Sequence, residues 1–445
     1  MDRKMQKFLI FGGSKSGYAV ANYLLESGNE CFVIEEQKTP KILEYKDKII
    51  EKGGVYIDLK KAEEMLEQID VLVISPGIPI NHKLCILAKE KKKRIMGELE
   101  FGYSQFLPTI IAVTGTNGKT TTVSLIGSIL SVAKKKNLLL GNIGNPMTAH
   151  LNEIDKDTIC VTEVSSFQLE SVNSFCPHVS CILNITPDHL ERHYTMENYV
   201  YLKKKIYKNM RESEYLVLNY DDKILKAIDD CRAKKIWVSL NEKVDGAYCL
   251  GEYLYYKDQI ICKVSDVSLD GKHNLYNALF AIVCAKILGI SDEYIVEGFR
   301  TFKGVPHRLE LVATKNEIDF YNDSKSTNTA STMVALKTMK KPTILILGGS
   351  EKGEKYDELF KSIKNSNVKH IVLTGASRFK MLECATHNEI EDLTIIDNFE
   401  YAVKYSKMIA KSGEAVLLSP ACASFDSFTS FVERGNKFTS IVEKF

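Results

Sequence analysis

Short apolar runs recur along the whole chain, and between them apolar positions return at helical spacing. From residue 7 to residue 98, Lys7–Phe11, Cys31–Ile34 and Val71–Ile74 predict strands. Tyr18–Leu25, Lys41–Lys52 and Lys83–Lys91 predict helices between and after them. Strand, helix, strand in this order predicts a parallel sheet with right-handed crossovers. The alternation continues through Ile110–Val113, Asn137–Leu140, Thr158–Thr162 and Val179–Ile185 as strands. A helix is expected from Met196 to Lys208, a hairpin from Tyr248–Leu254 and Ile260–Val264, and an apolar helix running to Leu288. Beyond residue 305, Ile318–Tyr321, Leu345–Leu347, Ile371–Leu373, Thr394–Ile396 and Val416–Leu418 read as buried strands. Pro306-His307-Arg308 reads as the linker into this last block.

The stretch Ile110–Thr122, IIAVTGTNGKTTT, stands out. A buried strand ends in Gly115-Thr116-Asn117-Gly118, and Lys119, Thr120 and Thr121 open a helix striped by Val123, Ile126, Ile129 and Leu130. Glycines let backbone N–H groups face phosphate oxygens, and the helix N-terminus adds positive potential. Lys119 is placed to reach β/γ-phosphates and the Thr120 hydroxyl to hold Mg²⁺. Val113 stands where the general P-loop pattern has its first glycine, so the loop is a shorter version. The fold class is therefore α/β in three domains. Residues 1–98 form an N-terminal Rossmann-like parallel sheet, 99–304 a central P-loop ATP-binding domain, and 305–445 a C-terminal Rossmann-like domain.

Polar residues gather at other strand ends, where open α/β sheets bind ligands. Glu163 is suited to a Mg²⁺ shared with Thr120, or else to capping Ser165 or Ser166. Asp188-His189 closes another strand, His189 being either a metal or phosphate group or a structural hydrogen-bonder. Asp323-Ser324-Lys325 fits an anion, with a plain helix cap as the alternative. The first turn, Gly12-Gly13-Ser14-Lys15-Ser16-Gly17, breaks the dinucleotide fingerprint at Ser14 and suits some other nucleotide-like ligand beside Glu35 and Glu36. Ser75-Pro76-Gly77 is expected to line the same crevice.

Composition narrows this little. A net charge of +2 gives no sign of a nucleic-acid partner. Eleven cysteines without a CxxC pair read as reduced cytosolic thiols, and no apolar stretch approaches a membrane span. From the residues alone the chain reads as a multidomain ATP-dependent enzyme using Mg²⁺. A non-catalytic nucleotide-binding module and an oxidoreductase are the rival classes.

Seven motifs add a resemblance. GTNGKTT (115–121), EVSSFQLE (163–170), NITPDHLERH (184–193), GKHNLYN (271–277), PHRLE (306–310), NDSKSTN (322–328) and SPACASFDSF (419–428) together resemble the Mur ligases. The last two resemble most the branch that adds D-glutamate. The resemblance implies cytoplasmic, ATP-dependent addition of D-glutamate to UDP-N-acetylmuramoyl-L-alanine through an acyl phosphate, by a monomer without membrane insertion. A folylpolyglutamate-synthase-like ligase shares the central chemistry, but a full N-terminal βα block before the glycine loop disfavours it.

By position, the resemblance implies that Lys15, Ser16, Glu36, Gln37 and Ser75 lie near UDP, and that Asn142, Gln168 and His189 meet the substrate. It implies that Asn274, Asn277, Arg308, Asp323 and Lys325 hold ATP together with the glycine loop. Lys352, Ser424, Phe425 and Phe431 would form the D-glutamate pocket. It implies two Mg²⁺ ions at Thr120, Glu163, His189 and Lys203, with Lys203 carbamylated, and a catalytic set of Lys119, Glu163, His189 and Lys203.

Overall fold

The computed structural model describes residues 6–106, 108–142, 145–269, 271–351 and 355–445. It contains three sheets. Residues 1–302 form one compact unit holding the first two, and residues 303–445 form a second unit holding the third.

The first sheet is β1 (Lys7–Phe11), β2 (Glu30–Ile34), β3 (Val55–Tyr56), β4 (Val71–Ile74) and β5 (Arg94–Gly97), in the order β3-β2-β1-β4-β5. All its pairings are parallel. β1 and β4 are buried almost throughout because helices cover both faces, so they read as continuous apolar runs. Strand order reverses between β1 and β4. The turns after them, at Gly12-Gly13 and Ser75–Gly77, therefore share the crevice at the switch point.

The second sheet holds β6 (Thr109–Thr114), β7 (Asn137–Gly141), β8 (Ile159–Glu163), β9 (Val179–Ile182), β10 (Tyr215–Asn219), β11 (Lys234–Ser239), β12 (Gly246–Leu250), β13 (Tyr253–Tyr256) and β14 (Gln259–Lys263). Their order is β14-β13-β12-β11-β10-β9-β6-β8-β7, with only β12-β13-β14 antiparallel. The predicted hairpin is thus a three-stranded meander. The expected strand Tyr248–Leu254 is cut in two at Gly251, whose φ of +62° makes the turn. The expected strand Val179–Ile185 stops at Ile182, and the Ile185 N–H turns to Asp222 instead, at 2.9 Å. The helix expected over Met196–Lys208 ends at Lys204 and tightens into a 3₁₀ turn, Lys205–Tyr207.

One segment, Gly97-Glu98-Leu99-Glu100-Phe101-Gly102, joins these two sheets. Glu98 lies at the start of the Glu98–Gln105 helix and is fully buried. It accepts the Thr148 N–H at 2.8 Å and the Thr148 hydroxyl, at the start of the 3₁₀ helix Met147–Glu153. Glu100 accepts the N–H groups of Asn173 (3.0 Å), Ser174 (2.8 Å) and Phe175 (3.1 Å). A side chain at Gly102 would press on Met147, and one at Gly97 would strike Ser171. The two carboxylates thus accept from N–H groups that no strand or helix pairs, those of Thr148 and Phe175 being buried.

The second unit holds β15 (Glu310–Lys315), β16 (Ile318–Asn322), β17 (Thr343–Leu347), β18 (Val368–Leu373), β19 (Leu393–Ile395) and β20 (Ala415–Leu418). Their order is β15-β16-β20-β17-β18-β19, antiparallel only at β15-β16. The segment read as a linker is not free chain. His307 is buried and bonds Asn322 Nδ2 through Nδ1 at 3.0 Å. Its ring packs where a Cβ on Gly435 would come within 2.3 Å.

Candidate active site

The glycine loop follows β6 and leads into the Lys119–Val132 helix. Gly118 adopts a φ of +87°, and a Cβ there would come 2.5 Å from Asn277 Oδ1. Only glycine suits that position. The loop is bracketed by Asn184, which accepts the Asn117 N–H at 2.9 Å and donates to the Asn117 carbonyl at 3.0 Å. Thr116 Oγ1 donates to the Thr186 carbonyl at 3.0 Å. Thr122 Oγ1 donates to Asn277 Oδ1 at 3.1 Å, and Asn277 Nδ2 donates to Asn274 Oδ1 at 3.1 Å. The start of the Lys272–Ile287 helix is thereby tied to the first turn of the helix that follows the loop. Lys119 Nζ donates to the carbonyls of Gly115 (2.9 Å) and Thr116 (2.8 Å), so its ammonium lies over the loop. Thr120 and Thr121 are buried in the first helical turn.

Glu163 is the last residue of β8, in register with Val113 on one side and Gly141 on the other. Its Oε2 accepts from Thr120 Oγ1 at 2.8 Å and its Oε1 from Asn142 Nδ2 at 2.8 Å. The cap at Ser165 is made by another residue. Gln168 Oε1 accepts the Ser165 N–H at 2.9 Å, and Ser165 Oγ accepts the Gln168 N–H at 3.2 Å. That commits the Gln168 carbonyl oxygen to the helix start and leaves Glu163 facing the loop.

Lys203 sits inside the Met196–Lys204 helix and is 1% exposed. Its Nζ donates to the Gly115 carbonyl at 2.9 Å and lies 4.6 Å from the centre of the Tyr199 ring. Burial holds this ammonium well below its ordinary pKa, helped by the nearby Lys119 charge and opposed by Asp188. Its neighbours lie elsewhere around the helix. Lys204 pairs with Asp230 at 2.6 Å and Lys205 donates to the Glu170 carbonyl at 2.7 Å. His189 has a φ of +53°, and its half-exposed ring lies 3.6 Å from Asp188 and 3.4 Å from Glu191. The buried histidine of this stretch is His193, whose Nε2 pairs with Ser166 Oγ at 2.9 Å.

At the first sheet, Lys15 and Ser16 open the Lys15–Glu26 helix. Ser75 Oγ donates to the Gly12 carbonyl at 2.8 Å, fastening the two switch-point turns together. Glu35, rather than Glu36, reaches the glycine turn, accepting the Gly13 N–H at 2.8 Å and the Gln37 N–H at 2.8 Å. Glu36 and Gln37 are exposed beyond it.

In the second unit, Asp323 follows β16 and is buried. It accepts from Ser419 Oγ (2.7 Å) and the Leu309 N–H (3.1 Å). Burial pushes its carboxyl up to about 6, against the pull of Ser326, Ser419 and Arg308. The turn it opens is longer than the sequence suggests. The helix begins only at Thr329, and its cap is Asn328, which accepts the Ser331 N–H at 2.8 Å. Lys325 Nζ lies 5.7 Å from the centre of the Phe431 ring. Ser424 is buried, while Phe425 is 70% exposed. Lys352 lies outside the described residues.

Sequence reading missed Arg434. Its buried guanidinium donates to Ser324 Oγ (3.0 Å) and to the carbonyls of Ser324 (2.9 Å), Cys422 (3.0 Å) and Ala423 (3.1 Å). It thus knits the Asp323 turn to the loop carrying Ser424. An arginine within an otherwise amphipathic helix carries no local sign of such a role.

Residues 6–97 match the Mur ligase MurD-like N-terminal domain, 113–285 the Mur ligase middle domain, and 307–422 the Mur ligase glutamate ligase domain. The chain is 41% identical over 448 residues to the UDP-N-acetylmuramoylalanine–D-glutamate ligase of Clostridioides difficile (strain 630), covering 98% of each. The chain belongs to the Mur ligase family. A second ligase of the same name, from Lachnospira eligens, is 40% identical with 99% of each chain covered. Among solved structures, the UDP-N-acetylmuramate-alanine ligase MurC of Thermotoga maritima has this fold, with a TM-score of 0.63, 17% identity and coverage of 98% and 99%. The MurF ligase of the same organism, in complex with ADP, has a TM-score of 0.60, 15% identity and coverage of 99% and 98%. The three α/β sheets of this chain are those of a Mur ligase.

Proposed function

We propose that this Mur ligase joins D-glutamate to UDP-N-acetylmuramoyl-L-alanine at the expense of ATP, in the cytoplasm and as a monomer, as a step of peptidoglycan precursor synthesis. The observation that carries the reading is the full-length likeness to ligases of that name, at 41% and 40% identity. The reaction is amide formation. The substrate carboxylate oxygen takes the γ-phosphoryl group, the Pγ–O bond to ADP breaks, and an acyl phosphate results. The free amine of D-glutamate attacks its carbonyl carbon, phosphate leaves, and the amine nitrogen gives up a proton. Activation is required because a carboxylate is a poor electrophile.

Such a reaction is served by positioning and charge stabilisation. Loop N–H groups and Lys119 are assigned to the phosphates, with Gly115 to Thr121, Asn274 and Asn277 shaping their cradle. The oxygen donors of Thr120 and Glu163, 2.8 Å apart and buried, fit Mg²⁺, which prefers hard oxygen ligands. When bound, the ion would neutralise charge on the phosphates. A second ion is assigned to His189 and to Lys203 as its carbamate, since a free ammonium would repel it. The blocks 1–98, 99–304 and 305–445 are assigned to the UDP-substrate, ATP and the amino acid. On the strength of the resemblance, Lys15, Ser16, Glu36, Gln37 and Ser75 are assigned to UDP, and Asn142, Gln168 and His189 to the rest of that substrate. Arg308, Asp323 and Lys325 are assigned to ATP, and Lys352, Ser424, Phe425 and Phe431 to D-glutamate.

A phosphate-release assay with ATP, Mg²⁺ and UDP-N-acetylmuramoyl-L-alanine tests the reading. Release should depend on D-glutamate and fail with L-glutamate, L-lysine and meso-diaminopimelate. Release driven by either diamino acid would overturn it.

A further inference from the structure

Arg192 makes four hydrogen bonds with one guanidinium, and they reach two parts of the first unit. Its Nε and Nη2 donate to Glu170 Oε1 (3.0 Å) and Oε2 (2.8 Å), a two-pronged pair. Its Nη1 and Nη2 also donate to the carbonyls of Gly77 (3.3 Å) and Ile78 (3.1 Å). The guanidinium carbon lies 5.3 Å from the centre of the Phe167 ring. The Arg192 side chain is 18% exposed and that of Glu170 8%, so solvent screens the pair poorly.

The ends of this bridge matter. Gly77 and Ile78 belong to the turn after β4, which Ser75 already fastens to the Gly12 turn at the switch point of the first sheet. Arg192 itself stands three residues after His189, in the short helix Leu190–His193. Glu170 ends the Ser166–Glu170 helix, which starts three residues after Glu163. One side chain therefore links the switch-point turn of the first sheet to the strand ends of the second. Glu170 fixes the fork in plane, and the carbonyls of Gly77 and Ile78 use its remaining edge. A lysine has a charge but no planar fork, so it cannot hold all four acceptors at once.

We propose that Arg192, held by Glu170, is a positioning residue that sets the span between the turn taking the nucleotide end of the substrate and the strand ends taking its reacting carboxylate. This rests on the functional reading given above. A long substrate gripped at both ends is sensitive to that span, since misplacement of about 1 Å far from the chemistry can cost about 100-fold.

The test uses the full chain with Arg192→Lys, Arg192→Ala and Glu170→Gln. Phosphate release is followed while each of the three substrates is varied, and each thermal midpoint is measured. Arg192→Lys should raise KM for the UDP-substrate about tenfold or more while the KM values for ATP and D-glutamate move less than about twofold. Glu170→Gln should shift the same KM in the same direction. Millimolar guanidinium should lower the UDP-substrate KM of Arg192→Ala and leave the parent enzyme unchanged. An unmoved UDP-substrate KM in Arg192→Lys, or three KM values rising together with a lowered midpoint, would reduce the pair to a structural ion pair and overturn the inference alone. A parent enzyme that turns over none of this substrate would overturn the functional reading and this inference with it.

Discussion

Thr120 Oγ1 donates to Glu163 Oε2 across 2.8 Å, closing the gap between the first turn of the Lys119–Val132 helix and the end of β8. Asn142 holds the other carboxylate oxygen, so the group is oriented from both sides. One oxygen from the first turn of that helix and one from the end of β8 are thus held side by side in a fixed orientation.

The first prediction concerns that pair. Glu163→Gln keeps one acceptor and removes the charge, so kcat should fall by about 100-fold or more. UDP-substrate affinity, followed by calorimetry, should change little. Thr120→Ser, which retains the hydroxyl, should stay close to the parent, whereas Thr120→Val should behave like Glu163→Gln. A Glu163→Gln enzyme with ordinary kcat would remove Glu163 from the chemistry.

The second concerns pH. Burial raises the Asp323 carboxyl from its ordinary 3.8 to about 6. Between those values the native state keeps a proton that the unfolded chain has released. The stability tied to protonated Asp323 is therefore fully present below about pH 4 and lost as pH rises through about 6. The displacement corresponds to about 3 kcal/mol. Asp323→Asn keeps a neutral group there, so its stability relative to the parent should improve by that order from pH 4 to pH 7. Denaturant unfolding of both proteins at the two pH values measures this, and a difference flat with pH would show an unperturbed carboxyl.

The third concerns the amino acid. Lys352 and Ser424 are assigned to the D-glutamate side-chain carboxylate. Lys352→Ala and Ser424→Ala should each raise the D-glutamate KM by about tenfold or more, the value of a hydrogen bond to a charged group. The ATP KM should hardly move. Equal effects on both substrates would remove the assignment.

Local pattern made the glycine loop readable. Apolar strand, glycines, Lys-Thr and helical stripe lie within Ile110–Leu130, and the structure builds β6, loop and helix from them. Glu163 offered two readings, beside Thr120 or as a cap for Ser165 or Ser166, and the structure pairs it with Thr120 and gives the cap to Gln168. What escaped depends on partners far away in sequence. Glu98 and Glu100 look like surface glutamates in a short helix, yet they cap N–H groups about 50 and 73 to 75 positions later. Arg192 bonds the Gly77 carbonyl 115 residues back, and Arg434 bonds Ser324 across 110. Strands β10 and β11 were passed over although they are at least as long as β1 and β4 and carry the apolar runs Leu216–Leu218 and Ile236–Val238. β15, half exposed with charged ends, has no clean alternation.

The Glu98 cap carries a fourth prediction. Glu98→Ala leaves the Thr148 N–H and hydroxyl buried without their acceptor, which costs about 1–3 kcal/mol. Glu98→Gln keeps a carbonyl acceptor and should cost less. Urea unfolding separates the two, and an unchanged midpoint for Glu98→Ala would mean that the Met147–Glu153 turn is held by packing alone.

The last concerns Lys203, whose amine is buried against the Gly115 carbonyl at 2.9 Å. Three adjacent lysines normally form a solvated face, yet here Lys203 is buried while Lys204 and Lys205 are only partly covered. Lys204 is engaged by Asp230 and Lys205 by the Glu170 carbonyl. The second Mg²⁺ proposed at His189 would need oxygen ligands, and carbon dioxide addition to the neutral Lys203 amine would supply two of them on an anion. Lys203→Ala should therefore nearly abolish turnover while leaving UDP-substrate binding largely intact. Acetate should restore part of the activity by placing a carboxylate in the vacated space. Lys204→Ala should be mild. Lys205→Ala should spare kcat while lowering the thermal midpoint, because it loses the tie to Glu170. Removing dissolved carbon dioxide should inactivate the parent enzyme, and bicarbonate should bring it back. Ordinary kcat in Lys203→Ala, or a loss centred on Lys204 instead, would show that the carbamate has been placed on the wrong residue.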